Sequence, residues 1–265
     1  MKNEKLALIT GASNGIGYEL AKIFAQNNFD LILVARGQKK LDETKKELEK
    51  FKVKVHTYAA DLSSFDDIVS LKSWSTDAGH QIDVLVLNAG QGYGGDFIHS
   101  TLLERELELI RLNVDSVVHM SKLFIKDMVQ KNKGKVLITS SVSGTAPIPF
   151  EAVYGASKAF INSFFYALRN EIRTSNVSMT LLMPGATETN FFKNAGQADT
   201  TVGSMKKDDP AEVAQRAYYA LMSHHEYVYG SDDTEYMGDV LNRLQSESQK
   251  AQRHRIISEP ESAKK

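Results

Sequence analysis

The sequence predicts an α/β protein built on one doubly wound parallel sheet with helices on both faces. Two observations predict it. Short apolar runs alternate with longer, amphipathic helical stretches over the first 185 residues. The loops that follow the apolar runs collect glycines and polar residues, and right-handed crossovers would set all of those loops along one rim. At 265 residues, 42% hydrophobic and 25% charged, the chain is long enough for one large core. No internal repeat or linker divides it, so residues 1–265 are read as a single domain.

A formal net charge of -1 argues against nucleic acid or an anionic membrane surface as principal partner. The absence of cysteine excludes disulfides, thiol nucleophiles and thiolate metal sites. The apolar run Leu6 to Thr10 is too short for a signal peptide, and no membrane-length apolar segment follows. A cytoplasmic protein with no membrane partner is the expectation.

Leu6 to Thr10 reads as a buried strand that breaks into Gly11-Ala12-Ser13-Asn14-Gly15-Ile16-Gly17. Ile16, Leu20, Ile23 and Phe24 then recur at helical spacing, which makes the loop a strand-to-helix turn. Such a turn brings backbone N–H groups and a positive helix end toward a diphosphate, and glycine permits the close approach. The spacing Gly-x-x-x-Gly-x-Gly differs from the common dinucleotide fingerprint, and a plain tight turn fits it too. Leu31 to Ala35 is a second strand, ending in Arg36 with no carboxylate beside it. An arginine there accommodates a 2′-phosphate where an acid would bind ribose hydroxyls, so NADP is favoured over NAD; a solvated strand-end cation is the plain alternative.

Leu41 to Phe51 is helical in pattern and Lys52 to Tyr58 alternates like a strand. Asp61-Leu62 follows; Asp61 suits an adenine amino group or a helix cap, with Ser63, Ser64 and Asp66 as rival caps. A helix over Asp66 to Ala78 leads to a strand at Ile82 to Leu87 and then Asn88-Ala89-Gly90, small enough to pass close to a planar ligand. Leu102 to Met128 holds one or two helices in which Asn113 lies among apolar neighbours, as a satisfied core amide or a site residue.

A strand from Lys135 to Thr139 ends in Ser140-Ser141, and Pro147 and Pro149 mark a loop before Tyr154-Gly155-Ala156-Ser157-Lys158. On a helix, Lys158 lies one turn beyond Tyr154 on the same face. A fixed cation there would move the phenol from its ordinary pKa of about 10 toward the working range, while Ser141 offers a hydroxyl to the same substrate oxygen. A surface Tyr and Lys on an amphipathic helix is the plain alternative. Val177 to Met183 is a further strand, closed by Pro184-Gly185-Ala186-Thr187-Glu188-Thr189. Asn190 to Met205 suits a mobile flap over a pocket or a surface insertion. A helix over Ala211 to Met222, a short strand Tyr227 to Tyr229, a helix over Val240 to His254 and a frayed tail from Glu259 complete the chain.

Taken together, Thr10 to Gly17, Asp61-Leu62, Asn88-Ala89-Gly90, Asn113, Ser141, Tyr154 with Lys158, and Pro184-Gly185 with Thr189 resemble the short-chain dehydrogenase/reductase family in its common form of about 250 residues. The resemblance runs from Leu6 to about Tyr229 and implies a Rossmann-type sheet of about seven strands. It also implies a homodimer or homotetramer paired through the helices that carry Asn113 and Phe160 to Leu168. By resemblance, Tyr154 is the general acid or base, Ser141 polarises the substrate oxygen, and Lys158 binds the nicotinamide ribose and tunes the tyrosine. Asn113 holds a relay water. Gly11, Ser13, Asn14, Gly15, Ile16, Gly17, Arg36, Asp61, Leu62, Asn88, Ala89, Gly90, Pro184, Gly185, Thr187 and Thr189 border the cofactor. At Asn14 the family often has a second basic residue that reinforces NADP, and this chain does not.

The implied reaction interconverts a small-molecule carbonyl and its alcohol, with no metal required. A non-catalytic dinucleotide sensor or scaffold, or an epimerase or dehydratase using the same site, are the alternatives. Tyr93, Phe97, Ile148, Phe150, Phe191 and Phe192 suggest an apolar substrate, although each fits ordinary packing equally well. No basic patch for docking an acyl carrier is readable.

Overall fold

The computed structural model describes residues 5–264. Residues 1–4, the start of the stretch before the apolar run at Leu6, and Lys265 at the end of the charged tail lie outside them. Seven parallel strands form one sheet in the order β3-β2-β1-β4-β5-β6-β7. They are β1 Leu6–Thr10, β2 Asp30–Ala35, β3 Val55–Ala59, β4 Val84–Leu87, β5 Gly134–Thr139, β6 Val177–Met183 and β7 Tyr227–Tyr229. Ala7 is in register with Leu31 of β2 on one side and Val84 of β4 on the other. The order reverses at this β1/β4 junction, where ligands of open α/β sheets bind beyond the carboxyl ends of the strands.

The central strands carry almost nothing but apolar residues because both faces are covered. On one face α1 (Gly15–Gln26) and α2 (Gln38–Leu48) pack onto the sheet, with Leu20, Phe24, Leu41 and Leu48 buried against Ala7, Ile9, Leu31 and Leu33. On the other lie α3 (Phe65–Asp77), the helical run α4 over 103–130, and α5 (Ala152–Glu171). There Leu71, Phe124, Ile161 and Phe165 meet Leu8, Leu85, Val136 and Ile138. A further helix, α6 (Pro210–Met222), returns to the first face and packs on α1 through Val213, Ala217 and Leu221. Asp209 caps α6, accepting from the Ala211 N–H, with Pro210 in its first turn.

α4 widens into π turns at Arg111–Asp115 and Ser121–Ile125. The first of them carries Asn113, and π turns recur where a helix must re-aim a functional side chain.

Three expectations for the C-terminal third are corrected. The helix expected over Val240 to His254 is two: a run over 232–244, then α7 (Glu247–Ser258) after Gln245 turns extended. Ser246 and Gln249 form a capping box, a helix start signal inside that stretch. The tail is anchored rather than frayed: Ser262 is buried, its Oγ accepts from the Thr201 N–H (2.8 Å), and the Ala263 N–H donates to the Asp199 carbonyl (3.2 Å). The stretch 190–205, which suits a flap or a surface insertion by sequence, is the third. It is built of short helices, Phe191–Asn194 and Thr201–Ser204, with Ala195, Gln197 and Thr200 buried, so it is a packed wall and no surface insertion.

The glycine loop is shaped for close approach. Gly11 and Gly15 take positive φ (66° and 54°), and at Gly17 a Cβ would lie 2.3 Å from the Gly11 carbonyl oxygen and 2.5 Å from Asn88 Nδ2. Two of those obstacles belong to the central strand ends and cannot retreat. Gly17→Ala is therefore expected to destabilise the protein by about 1–3 kcal/mol, read by urea unfolding. An unchanged midpoint would show that the loop can move.

Candidate active site

The ends of the central strands are knitted together by three side chains. Thr10 Oγ1 donates to the Val86 carbonyl (3.2 Å) and accepts from the N–H groups of Asn88 (2.9 Å) and Ala89 (3.0 Å). Asn88 Nδ2 donates to the Thr10 carbonyl (3.3 Å), and its Oδ1 accepts from Thr139 Oγ1 (3.2 Å), so β1, β4 and β5 are held in one register. Above this knot lies a cleft of about 940 Å³.

One half of the cleft is shaped for a dinucleotide. Gly11, Ser13, Asn14, Gly15 and Ile16 line it at the start of α1. Asn14 makes no capping side-chain bond and no acid lies in the first turn, which leaves the helix's first N–H groups for an anion. Arg36 lines the cleft where β2 ends, and Lys40 of α2 stands with it. Leu62, Asn88, Ala89, Gly90, Pro184, Gly185, Thr187 and Thr189 complete this part of the wall. Gly17 and Asp61 do not line it. Gly17 packs beneath the loop, and Asp61 turns away to accept from the Ser63 N–H (3.0 Å) and Oγ (2.7 Å). Ser64, not Asp61, caps α3.

At the deep end Ser141, Tyr154 and Lys158 line the same cavity, all buried. Glu151 immediately precedes α5, whose first turn contains Tyr154, and the Lys158 ammonium lies 5.8 Å from the Tyr154 ring centre, donating to the Thr139 carbonyl (3.3 Å). Ser141 donates to the Pro184 carbonyl (3.3 Å), accepts from the Ser143 N–H (3.1 Å), and its hydroxyl also reaches the Tyr154 phenol. Phe191 packs on the Tyr154 ring at 5.3 Å between centroids.

The charges here depart from the sequence reading. Burial and the nearby Glu151 carboxylate push the Tyr154 phenol well above its ordinary range, and only the Ser141 hydrogen bond opposes them. Burial pushes the Lys158 ammonium down to about 8. The lowering of the tyrosine expected from the lysine is not seen; burial and Glu151 set the direction. Asn113 stands behind the cleft wall rather than on it. Its Oδ1 accepts from the Gln91 N–H (2.9 Å), and its Nδ2 donates to the Gln91 carbonyl (2.9 Å) and to Ser157 Oγ (3.2 Å). The amide therefore fixes the loop after β4. Only Gly90 separates it from Lys158, since a Cβ there would lie 3.3 Å from Asn113 Oδ1 and 3.4 Å from Lys158 Nζ.

Of the apolar residues expected around the substrate, Ile148, Phe191 and Phe192 line the cleft and Tyr93, Phe97 and Phe150 do not. Glu151 lines the wall within the stretch 146–153 before Tyr154, whereas sequence reasoning missed Lys40 and the inner face of α7, where His254, Ile257 and Ser258 complete the wall. For α7 there was no signal: long-range contacts bring it here, among them the Ser258 hydrogen bond to the Pro149 carbonyl (2.8 Å), the Lys250 ammonium on the Thr145 carbonyl (3.3 Å) and the Arg255 guanidinium over the Phe150 ring (4.9 Å).

The family model of the short chain dehydrogenases matches residues 5–200. The chain belongs to the short-chain dehydrogenase family. Among relatives of this short-chain dehydrogenase, the Mus musculus dehydrogenase/reductase SDR family member 7B is 31% identical over 82% of this chain and 70% of its own length. The Bos taurus very-long-chain 3-oxoacyl-CoA reductase is 35% identical over 71% of this chain, which spans 61% of that protein. A solved short-chain dehydrogenase from Sphingobium yanoikuyae in complex with NADPH superposes with a TM-score of 0.82 at 28% identity, covering 91% of this chain and 93% of its own. Membership makes the protein an oxidoreductase. Among the described residues no helix is long and apolar enough to cross a membrane.

The buried ammonium predicts a measurable penalty. Below about pH 8 Lys158 is protonated both folded and unfolded, and the burial cost is fully present. Between that value and the ordinary lysine pKa of about 10.4 the folded form binds fewer protons than the unfolded one, so the deficit shrinks as pH rises. Lys158→Met is therefore expected to be more stable than wild type by about 2 kcal/mol at pH 7, and by clearly less at pH 10. Urea unfolding at both pH values checks this; a gap that is absent or widens with pH contradicts it.

Proposed function

We propose that the protein interconverts a small ketone or aldehyde and its alcohol with NADP(H), with Tyr154 as general acid and base. One observation carries this: the Tyr154 phenol, the Ser141 hydroxyl and the Lys158 ammonium share the deep wall of a cleft whose other half is built for a dinucleotide.

The residues fit the cofactor. The diphosphate would lie on the glycine loop and the open start of α1, and the 2′-phosphate against Arg36 and Lys40. The NADPH held by the Sphingobium yanoikuyae relative supports the same choice. NADPH, when bound, supplies the hydride.

The protein's own groups handle the oxygen. As hydride reaches the carbonyl carbon, negative charge grows on the carbonyl oxygen, and the Ser141 and Tyr154 hydroxyls stabilise it. Tyr154 then gives up its proton, and the oxygen leaves as an alcohol; oxidation runs the same transfer backwards. A phenol raised by burial keeps its proton until that charge develops, which suits the reducing direction. Lys158 lies beside it to compensate the phenolate and would meet the nicotinamide ribose. The free lone pair of Asn113 Oδ1, across Gly90, is the place for a water that resupplies protons through Lys158. Copies of the chain pair as a homodimer or homotetramer. Phe160 and Phe164, stacked at 6.1 Å, and the exposed Tyr166 support α5 as the joining face.

Tyr154→Phe is expected to lower carbonyl reduction by about 10²–10⁴-fold while NADPH still binds with wild-type affinity, measured by nucleotide fluorescence. Wild-type turnover in the folded variant removes Tyr154 from the role. Arg36→Asp should cut the kcat/KM ratio of NADPH over NADH by about 10–100-fold; an unmoved ratio means that Arg36 does not read the 2′-phosphate.

A further inference from the structure

One acid in the cleft has no part in this chemistry. Glu151 lies one turn ahead of Tyr154, so the carboxyl and the phenol face the same cavity. It is 6% exposed, forms no ion pair among the described residues, and its Oε1 has no hydrogen-bond partner there. Beside it, Gln197 is 1% exposed; its amide reaches the Glu151 carboxyl, and its Oε1 has no partner among the described residues. Gln197 reaches this place because Gly94 has no side chain: a Cβ there would lie 2.3 Å from Gln197 Nε2. His254 of α7 lines the same cleft and is 8% exposed, with Nε2 unpartnered among the described residues.

An unmade hydrogen bond on a buried polar atom costs about 1–3 kcal/mol. Glu151 and His254, each with such an atom, both line the cleft, which suits a ligand that satisfies them better than a hydrocarbon. Burial pushes the Glu151 carboxyl up to about 7, with the Gln197 amide pulling back, and pushes His254 down to about 4, so the imidazole is neutral at physiological pH. A cationic substrate group would meet the Lys158 ammonium in the same site, whereas a neutral hydroxyl meets no such repulsion.

We infer that Glu151, backed by Gln197 and with His254 in the same cleft, is a substrate subsite that accepts a hydroxyl carried beyond the reacting carbonyl. The substrate is then a hydroxylated ketone or the corresponding diol, not a plain hydrocarbon ketone. The inference rests on the carbonyl chemistry proposed above and names its substrate class.

The test compares β-hydroxypropiophenone with propiophenone as substrates, with NADPH, for wild type, Glu151→Gln and Glu151→Leu. The readout is the ratio of the two kcat/KM values within each protein. Any effect of Glu151 on Tyr154 acidity is common to both ketones and cancels in the ratio. Wild type is expected to prefer the hydroxylated ketone by about tenfold or more, carried in KM. Glu151→Leu should bring the ratio close to one, with Glu151→Gln between them. The near-isosteric Gln variant carries the comparison should the Leu variant fail to fold. A wild-type ratio near one, or a ratio that neither substitution moves, overturns the subsite and leaves carbonyl reduction standing. Reduction of neither ketone by wild type takes both readings down.

Discussion

An ammonium kept out of water is the constraint on which the rest of the site depends. Lys158 is 5% exposed, and its Nζ has one protein acceptor, the Thr139 carbonyl at the end of β5. Such a group persists only where the surrounding structure leaves it nowhere to go. α5 is held on both sides of it. Ser140 Oγ donates to the Lys158 carbonyl (3.1 Å) and to Asn162 Oδ1 (2.5 Å), while Ser157 Oγ receives the Asn113 amide (3.2 Å). The π turn of α4, the loop after β4 and the end of β5 are thereby all tied to the helix that carries the reacting phenol.

That helix places two titrating groups of opposite sign on either side of Tyr154. Glu151, three residues before it, makes losing the proton harder; Lys158, four residues after it, favours the anion once formed. Burial drives both toward their neutral forms, to about 7 and about 8. The acidity of the phenol is therefore set by a balance inside one cavity, and anything that displaces water or brings charge there shifts it. The dinucleotide half of the cleft works differently. Backbone N–H groups, glycines at positive φ, Arg36 after β2 and Lys40 on α2 form its cradle.

Much of this was legible from residue order, and the exceptions have physical reasons. Parallel strands buried on both faces read as apolar runs, so β1 and β6 were placed to the residue, and β2 and β5 were one residue short at their first strand position. Arg36 was found because a strand end fixes where its side chain emerges. Asp61 was misplaced because a short acid beside two serines can satisfy itself locally, and it does so through Ser63. Gly17 belongs to the loop by spacing and to the packing beneath it by contact. The aromatic residues misled for the same reason: Phe150 and Phe191 look alike in sequence, yet one is stacked under Arg255 and the other on Tyr154.

By itself the sequence determined the alternating architecture, the rim on which the loops gather and the identity of the Ser-Tyr-Lys set, because these follow from periodicity and from spacing within one helix or one turn. Only the tertiary structure decided that α7 walls the cleft, that Asn113 spends its amide on Gln91, and that the phenol is raised rather than lowered. Each of those is set by contacts across more than twenty residues of chain or by how much water burial removes, and neither quantity is written in local order.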